Sequence, residues 1–478
     1  MNKSIAFYPH NRVHSKIFVK IGRLLRDKYF YDISYVSEIG DIEGEIVFEF
    51  EKEIAKRWND VDISYNNLSS LEKKYSDINL MRSIFSERRC NFFPKYFNDQ
   101  RVPYEKQLRY LVACFEVFSE WLTNTNIKYV VSELLIGLPD SILYAVCKEK
   151  NVQYISIRSS KMMNGLITCS PEIDMPIGMT EIYKNFCKNG IPNHLYDLAN
   201  DHLIGLQSKI DVPGYMEISR NNFSLLKAKH FIDFVSRFTI KKKSSEHISL
   251  MSSNLRKSVL WTLYRFNNIR ETKSKEHKWF STNLSLKEQY FVFPLQYEPE
   301  ATTSVRAFPF SDQMSVIQQI AKALPLGVTL VVKEHLGNQG YRKAEFYRDL
   351  HYIPNVKLIH RETSVHGLIT NSLGVITLSS RMGWEALALG KPVIALGVAF
   401  WTDFEKVQKP KSWLDLKDLI RGILDTANDD NAFTGDDNLR AYTAAYISLV
   451  KDGNFIVGSK DFFTDSNIEK ISNILSQF

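Results

Sequence analysis

The sequence has few cysteines and lacks the short motifs that mark the commonest nucleotide and metal sites. No C-x-x-C pair occurs, and the five cysteines are too widely spaced to predict a disulfide framework or a zinc site: Cys90, Cys114, Cys147, Cys169 and Cys187. There is no G-x-x-x-x-G-K-[ST] motif, and no G-x-G-x-x-G follows the first strand-like run. P-loop enzymes, dinucleotide oxidoreductases, resident metals and permanently bound cofactors are therefore not expected.

Long hydrophobic runs are also missing. No stretch reaches the roughly 18 to 20 apolar residues that a membrane-spanning helix needs, and the start of the chain, MNKSIAFYPH, lacks the apolar core of a signal peptide. Yet 44% of the 478 residues are hydrophobic, which is enough for two or three domains with their own cores. We expect a globular cytoplasmic protein, attached at most peripherally to the inner face of the cell membrane.

The net charge of +7 is unevenly distributed along the chain. Residues 220–278 contain fourteen Lys or Arg and four Asp or Glu, so this basic segment carries a surplus of ten positive charges and the remainder is slightly acidic. Aromatic side chains such as Trp261 and Phe266 are interleaved with the basic ones. The combination fits an anionic membrane surface or an acidic or lipid-linked glycan, and fits nucleic acid least, because no nucleic-acid module is recognisable. A solvated basic linker is the alternative.

The C-terminal half alternates between strand and helix patterns. The apolar periodicity predicts strands over 290–295, 328–333, 356–359, 375–378 and 393–396. It predicts helices between them, over 311–324, 343–350, 364–370 and 382–389. Strands that alternate with helices of this length are typical of a parallel, doubly wound sheet.

The N-terminal half shows the same alternation in a weaker form. Strands are predicted over 5–8, 127–132 and 154–158, with helices over 15–28 and 141–150. We therefore predict an α/β protein of two Rossmann-like domains that face each other across a cleft, with extra helices. The predicted boundaries are 1–270 for the first domain, with helical and basic insertions, 286–410 for the second, and 411–478 for helices that bridge or finish the two.

Polar residues follow the strands of the second predicted domain. The first strand runs into Gln296, Glu298 and Glu300, and the second ends at Lys333 and continues to His335. Ligands of parallel α/β sheets bind beyond the carboxyl ends of the strands. These side chains are therefore candidates for a binding or catalytic site, although ordinary turn or loop roles explain each one taken singly.

The stretch ITLSSRMGWEALALGKPVIALG places a strand, two serines and a helix in succession. The helix start has free N–H groups and a positive dipole end, which suit phosphate, and Ser379, Ser380 and Arg381 would supply further donors. Glu385 on the same helix could accept hydrogen bonds from a ribose, and Gly383 would belong to the same donor-binding site. The alternative is structural: the serines would cap the helix, Gly383 would allow close packing, and Glu385 would favour the helix start.

The corresponding rim of the first predicted domain contains a second set of polar residues. His10 and Arg12 follow its first strand, Glu133 follows the strand at 127–132, and Arg158 ends the strand at 154–158. Glu133 and His10 are the natural candidates to hold a hydrogen bond with an acceptor hydroxyl. The alternative for Glu133 is a cap on the turn before Pro139.

Three motifs of the second domain together resemble a known family. FPLQYE at 293–298, KEH at 333–335 and SSRMGWEALALGKPVI at 379–394 are similar to the bacterial capsule polysaccharide biosynthesis proteins, a group that includes Kdo transferases of the two-domain GT-B architecture. The resemblance spans about 110 residues, 290–400, and over the first half of the chain it is architectural only.

The resemblance implies roles for several residues. It places Lys333 and His335 at the donor phosphate or sugar carboxylate, Ser379 and Ser380 at the phosphate, and Glu385 at the ribose. One departure concerns the histidine: many relatives have proline after it, whereas this chain has Leu336.

The function that the resemblance implies is transfer of a sugar from a nucleotide to a growing capsule or lipopolysaccharide glycan, without a metal. The preferred donor is CMP-linked Kdo or a related ulosonic acid. The candidate catalytic residues are Glu133, Glu298, Glu300 and His335, and a carboxylate would act as base or as nucleophile. Alternatives are a UDP-sugar-dependent hexosyltransferase, a nucleotide-sugar 2-epimerase, and a non-catalytic assembly factor that binds anionic glycan or membrane.

Overall fold

The computed structural model describes residues 3–37, 42, 45–87, 90, 102–172, 174–208, 255–281, 288–298, 300–308, 310–335, 337–338, 340–426 and 436–478. Most of the basic segment, residues 220–254, lies outside this range, as do Leu336 and part of the predicted junction near 270–286. The described chain forms two compact units. Met1–Ile177 and Leu449–Phe478 contribute to the first unit, and Val259–Ser448 and the segment that begins at Gly178 contribute to the second.

The first unit contains a six-stranded sheet with the order β3-β2-β1-β4-β5-β6. All neighbouring strands are parallel except β5 and β6, which are antiparallel. The strands are β1 (Ser4–Phe7), β2 (Asp32–Val36), β3 (Val47–Phe48), β4 (Tyr129–Ser132), β5 (Gln153–Ser159) and β6 (Leu166–Cys169).

The second unit contains a seven-stranded sheet with the order β13-β12-β11-β8-β9-β10-β7, and every pairing in it is parallel. The strands are β7 (Phe280–Ser281), β8 (Gln289–Pro294), β9 (Val328–Lys333), β10 (Val356–Ile359), β11 (Gly374–Thr377), β12 (Val393–Ala395) and β13 (Val407–Gln408).

Helices surround both sheets. In the first unit they are α1 (Arg12–Tyr29), α2 (Phe50–Arg57), α3 (Tyr65–Lys74), α4 (Leu80–Ser86), α5 (Tyr104–Thr123) and α6 (Leu138–Glu149). The second unit has α7 (Met179–Asn189), α8 (Asn193–Gln207), all but the first turn of α9 (Leu255–Trp279), α10 (Ala301–Ser304), α11 (Gln313–Ala323), α12 (Ala344–His351), α13 (Val365–Thr370), α14 (Arg381–Ala388), α15 (Trp413–Thr426) and α16 (Asp437–Ser448). The last helix, α17 (Asp465–Leu475), returns to the first unit and packs against α1.

Both sheets follow the Rossmann strand order. When the strands are numbered in chain order from β1 in the first sheet and from β8 in the second, both sheets have the spatial order 3-2-1-4-5-6. The second sheet has β7 as an additional edge strand. The predicted α/β class with two Rossmann-like sheets is confirmed, and the cleft between them stays a prediction. The predicted strands and helices are found within a few residues of their expected ends.

The strands are apolar because helices cover both of their faces. All four residues of β1 and of β11 are buried, as are five of the six residues of β8. In the second unit, Phe291, Phe293, Leu330 and Ile376 join the inward faces of α11 and α15 in one core. Four of the five cysteines are buried, Cys187 is exposed, and all five are free thiols.

Candidate functional site

The strand order reverses at the centre of the second sheet, between the paired strands β8 and β11. From β8 the chain moves to β9 and β10 on one side, and then crosses to β11, β12 and β13 on the other. The connections after β8 and β11 therefore leave in opposite directions, which opens a crevice at the carboxyl ends of these two strands. The predicted residues after β8, β9 and β11 lie at this edge of the sheet, so the topology brings the three motifs together.

The loop after β8 is held by Gln313 at the start of α11. The Gln296 N–H donates to Gln313 Oε1 over 2.7 Å, and Gln313 Nε2 donates to the Gln296 carbonyl over 3.2 Å. The same amide also donates to Glu298 Oε1. Gln313 thus fixes both the backbone of Gln296 and the carboxylate of Glu298.

Arg342 stabilises the same loop from a buried position. Its guanidinium lies 2.8 Å from Glu334 Oε1 and donates to the Gln296 carbonyl over 2.5 Å, and it is 3.9 Å from Glu298 Oε2. Tyr347 donates its hydroxyl proton to the other oxygen of Glu334 over 2.5 Å. Glu334, which directly precedes His335, is therefore committed to a structural ion pair.

Burial raises the pKa of Glu298, and the nearby Arg342 and the hydrogen bond from Gln313 offset only part of that effect. Its side chain nevertheless remains 28% exposed, so the carboxylate can reach a ligand. Glu300 differs, because its carbonyl caps α10 by accepting the N–H groups of Thr303 and Ser304 at 3.2 and 3.1 Å. Glu298 is thus one predicted carboxylate that Gln313 and Arg342 hold in place.

Lys333 and His335 differ in charge. Burial lowers the pKa of Lys333 to about 8, and its Nζ donates to the Arg361 carbonyl over 2.6 Å. Burial also lowers the pKa of His335, whose Nδ1 accepts the Gly337 N–H over 3.1 Å. At neutral pH Lys333 can attract an anion, whereas the neutral His335 can offer a hydrogen bond from Nε2.

The β11–α14 connection confirms the structural interpretation for Ser380 and Gly383. Ser380 caps α14, because its hydroxyl accepts the Met382 N–H over 3.2 Å. A Cβ atom on Gly383 would lie 2.3 Å from the ring of the buried Trp401, so this glycine has a packing role. Arg381 and Glu385 lie 3.7 Å apart on the exposed side of the first turns, with 12% and 22% of their side chains accessible. The predicted contacts of Arg381 and Glu385 with a phosphate and a ribose stay predictions.

The first unit has a second polar cluster at the equivalent position, beyond the carboxyl ends of β1 and β4. His10 Nε2 lies 3.0 Å from Asp140 Oδ1, and His14 Nδ1 lies 2.5 Å from Glu133 Oε1. His10 Nδ1 is 3.9 Å from Glu133 Oε2. We call these four residues the switch-point cluster; all four side chains are at least nine-tenths buried.

Charge keeps the switch-point cluster together. Burial alone would lower the pKa of His10, but Asp140 and Glu133 outweigh it and raise that pKa well above its ordinary value. Burial would raise the pKa of Glu133, but the two histidines lower it to about 2. Asp140 also has a lowered pKa, since His10 and the Ile136 and Gly137 N–H groups outweigh burial. A protonated His10 therefore lies between two ionised carboxylates.

The structure separates the other candidates of the first unit. Arg158 forms an ion pair with the buried Asp174 over 2.6 Å, and Arg12 is exposed at the start of α1. Glu133 does not cap the turn before Pro139, because Asp140 accepts the N–H groups of that turn at 2.8 and 2.9 Å. His10 and Glu133 are thus the predicted pair that the fold brings together.

Several residues of these networks were not predicted from the sequence. They are His14, Asp140, Gln313, Arg342 and Tyr347. Asp140 carries a recognisable signal, because an acidic residue in the first turn of a helix favours its positive end. The others have no local signature, since each contacts a residue that is distant in the sequence or part of another element.

Residues 223–404 match the family model described as capsule polysaccharide biosynthesis protein. The resemblance predicted from the three motifs is confirmed, and the matched segment contains the strand-end residues after β8, β9 and β11. A comparison with curated proteins gives no match. Among the described residues, no helix is long and apolar enough to cross a membrane, and no group of three or more His, Cys, Asp or Glu is arranged to hold a metal ion.

Solved structures similar to this chain include two transferases and an epimerase. Thermosulfurimonas dismutans KpsC, beta Kdo 2,7 transferase, is 11% identical with a TM-score of 0.34, over 81% of this chain and 94% of that one. The KpsC beta Kdo 2,4 transferase of the same organism is 15% identical with a TM-score of 0.34, over 73% and 87%. UDP-GlcNAc 2-epimerase from Neisseria meningitidis is 10% identical with a TM-score of 0.29, over 93% and 98%. Similarity this low adds nothing to the fold assignment, which rests on the strand order.

Proposed function

We propose that this protein is a glycosyltransferase of capsule or lipopolysaccharide assembly that takes its sugar from a nucleotide donor. The observation that carries the proposal is the crevice of the second unit, where the three family motifs meet at the carboxyl ends of β8, β9 and β11 within the segment that matches the capsule family. The second unit would bind the donor, and the first would bind the acceptor glycan.

The residues of the crevice suit a nucleotide with an anionic leaving group. Lys333 and Arg381 would neutralise phosphate, and the N–H groups at the start of α14 and the Ser379 hydroxyl would donate to its oxygens. Glu385, one turn further along α14, would accept hydrogen bonds from the ribose. Fixed donors aimed at a leaving phosphate stabilise the negative charge that develops on it during transfer.

The preferred donor is a CMP-linked ulosonic acid such as CMP-Kdo. Such a donor carries a phosphate and a sugar carboxylate close together, and the crevice offers a cation at Lys333, a cation at Arg381 and a neutral donor at His335 to bind them. Glu298, which is partly exposed beside Arg342, is the carboxylate of this unit that is best placed to contact the sugar.

Calorimetric titration with CMP, UDP, GDP and ADP tests the proposal. Selective binding of CMP supports an ulosonic-acid transferase, whereas selective binding of UDP supports a hexosyltransferase or an epimerase, which product analysis separates because an epimerase converts the donor alone. Glu385→Ala should weaken the binding of the preferred nucleotide about tenfold without a change in melting temperature. The control is Asp418→Ala, an exposed carboxylate in the middle of α15. No binding of any nucleotide would leave the non-catalytic assembly factor as the better explanation.

The outer face of α9 supports binding to an anionic membrane surface. Leu263 and Phe266 are 58% and 61% exposed on this face, and the basic residues Arg270, Lys273 and Lys278 continue it toward the end of the helix. Of its acidic residues, Glu276 pairs with His360 and Arg361, and Glu271, on the side of Lys278, has its charge offset by Lys275. An exposed helix face with apolar side chains and a surplus of basic ones suits anionic lipid headgroups.

A further inference from the structure

The covered face of α9 is mostly polar. It is formed by Arg265, Asn268, Ile269 and Thr272, which are spaced like one face of a helix, and Asn268 and Thr272 are only 5% and 7% exposed. A helix that packs for stability alone usually covers an apolar stripe, so polar residues at covered positions indicate contacts with particular partners. Arg265 and Asn268 have such partners in the connection between β9 and α12.

The backbone of α9 contacts this connection at Gly340. Asn268 Nδ2 donates to the Gly340 carbonyl over 3.1 Å. A Cβ atom on Gly340 would lie 2.6 Å from the Arg265 carbonyl oxygen, and the glycine has a φ of +77°. The left-handed backbone and the missing side chain allow the helix and the connection to approach this closely. The connection is therefore fixed against α9 directly before Tyr341.

A series of ring contacts leads from α9 to the residues of the crevice. The Arg265 guanidinium carbon lies 4.2 Å from the centroid of the Tyr341 ring. Tyr341 contacts Tyr297 edge to face, with the centroids 4.8 Å apart and the planes at 62°. Tyr297 contacts His335 in the same way, at 6.0 Å and 66°. Arg265 is thereby linked to one residue of the motif after β8 and to one residue of the motif after β9.

Arg265 acts on this series through both its shape and its charge. A planar guanidinium over the face of a tyrosine ring is attracted to the ring and stacks on it, which restricts the orientation of Tyr341. The charge reaches the next ring as well: burial and the neighbouring Tyr341 raise the pKa of Tyr297, and the charge of Arg265 opposes them. The position of Tyr297 in the crevice thus depends on a side chain of α9.

We propose that Arg265 is a positioning residue of the crevice in the second unit, and that it acts through Tyr341 on Tyr297 and His335. Donor binding at this crevice rests on the proposed function, whereas the effect of Arg265 on the rings and on His335 does not. Supporting residues of this kind keep the groups that contact a ligand in one geometry before the ligand arrives. The inference makes the covered face of α9 part of the donor site.

Histidine NMR and nucleotide titration of the full-length protein test this inference. The histidines are labelled with 13C at Cε1, and the His335 signal is assigned with His335→Gln. Arg265→Met should shift the His335 signal, and the pKa of His335 should rise toward its ordinary value of 6.5, because loosened rings admit water to a site where burial now lowers that pKa. The variant should also bind the preferred nucleotide about three- to tenfold more weakly.

Arg265→Lys separates the placement of the rings from the effect of charge. Lysine keeps the positive charge but lacks the planar group that stacks on Tyr341, so this variant should resemble Arg265→Met in both measurements. It also provides the test if Arg265→Met does not fold. Tyr341→Leu should weaken nucleotide binding to a similar extent, and its combination with Arg265→Met should add little, because both substitutions break the same series of contacts. The matched controls are Arg421→Met and Arg421→Lys, at an exposed position of α15, which should behave like the wild type.

Two results would overturn the inference. One is that the wild type binds a nucleotide while Arg265→Met changes neither the affinity nor the His335 signal, which would leave the proposed function intact. The other is that Arg265→Lys behaves like the wild type, which would show that only the charge of Arg265 matters. A shift of the His335 signal in both Arg265 variants without any nucleotide binding would instead support the positioning role and reject the transferase proposal.

Discussion

Arg342 and Glu334 form a buried ion pair beside the loop that follows β8. The guanidinium Nη1 lies 2.8 Å from Glu334 Oε1, and only 4% of each side chain is exposed. The same guanidinium donates to the Gln296 carbonyl. Arg342, which lies outside the predicted motifs, therefore fixes the backbone of the motif after β8. It also fixes Glu334 in the motif after β9.

Replacement of Arg342 should strongly destabilise the second unit. Arg342→Met leaves Glu334 buried without its cation, and the loss of one partner of a buried pair costs about 3 to 5 kcal/mol. Urea denaturation of the two proteins measures this free energy. Arg348→Met is the matched control, because Arg348 pairs with Asp349 at the exposed surface, where an ion pair contributes little to stability. A loss for Arg342→Met no larger than that for Arg348→Met would refute the structural role of the buried pair.

Two glycine-to-alanine substitutions should have opposite effects. At Gly383 the new methyl group would lie 2.3 Å from Trp401, which is fully buried, so the free energy of unfolding should fall by roughly 1 to 3 kcal/mol. At Gly422 in α15 a new methyl group has no neighbour within 4 Å. Alanine has the higher helix propensity, so the free energy of unfolding should rise by about 0.5 to 1 kcal/mol. Thermal denaturation compares the two variants. Equal effects of the same sign would contradict the packing role of Gly383.

Nucleotide affinity should fall as the pH rises through about 8. The pKa of Lys333 is lowered to about 8, so its ammonium is charged below that pH and loses its charge above it. A phosphate binds the charged form better, and titration calorimetry from about pH 7 to about pH 9.5 would show weaker binding at the alkaline end. Lys333→Met should bind more weakly and without this dependence, whereas Lys322→Met, at an exposed position of α11, should behave like the wild type. Identical pH profiles for Lys333→Met and the wild type would exclude Lys333 from the phosphate site.

Glu133 should make the first unit sensitive to acid. Its pKa falls from 4.5 to about 2 in the folded protein, so its stabilising contribution is present above about pH 4.5 and is lost as the pH falls toward 2. His10 has a raised pKa, so its contribution is complete below its ordinary value of 6.5 and is lost only as the pH rises through the folded value.

Glu133→Gln should remove much of the acid-induced loss of stability. The wild type should lose roughly 2 to 3 kcal/mol more than the variant between about pH 5 and about pH 2, as measured by denaturant unfolding across that range. Glu120→Gln, which alters an exposed carboxylate paired with Arg57, serves as the control. Parallel stability curves for the wild type and Glu133→Gln would contradict the ionised state of Glu133.

Charge reversal on the outer face of α9 should abolish binding to anionic vesicles. The triple variant carries Arg270→Glu, Lys273→Glu and Lys278→Glu, and each lost cation should cost about 1 kcal/mol of binding free energy, so affinity should fall at least about a hundredfold. Flotation with phosphatidylglycerol vesicles at low and high salt measures this, and wild-type binding should weaken with salt. The control reverses three exposed lysines of other helices: Lys184, Lys188 and Lys417. Equal binding of both triple variants would exclude this face as the contact.

The sequence predicted the central strands and helices well because each has its own periodic pattern. β9 and β10 begin and end at the predicted residues, and α14 differs by one residue at each end. The shortest strands, such as β3, β7 and β13, have two residues each and were not predicted. A two-residue strand has no periodicity, and it is defined by the neighbour with which it pairs.

Residues of the candidate site could be predicted only where polar side chains directly follow a predicted strand. Gln296, Lys333 and Ser380 were accessible to prediction because parallel strands end at one edge of the sheet. Capping by Ser380 and packing at Gly383 were the structural alternative in the sequence, and the positions of Met382 and Trp401 confirm both. The pairing of Arg158 with Asp174 and the stacking of His14 on Phe455 likewise depend on contacts between distant segments.

The sequence by itself determined the fold class, the position of the crevice in the second unit and the resemblance to the capsule family, because these depend on local periodicity and on motifs within short stretches. Only the tertiary structure decided which side chains carry charge. His10 and Glu133 are ionised and His335 is neutral because of burial and of neighbours up to 130 residues away in the chain. A pKa is set by the electrostatic field of the folded protein, and that field exists only once the strands have brought distant residues together.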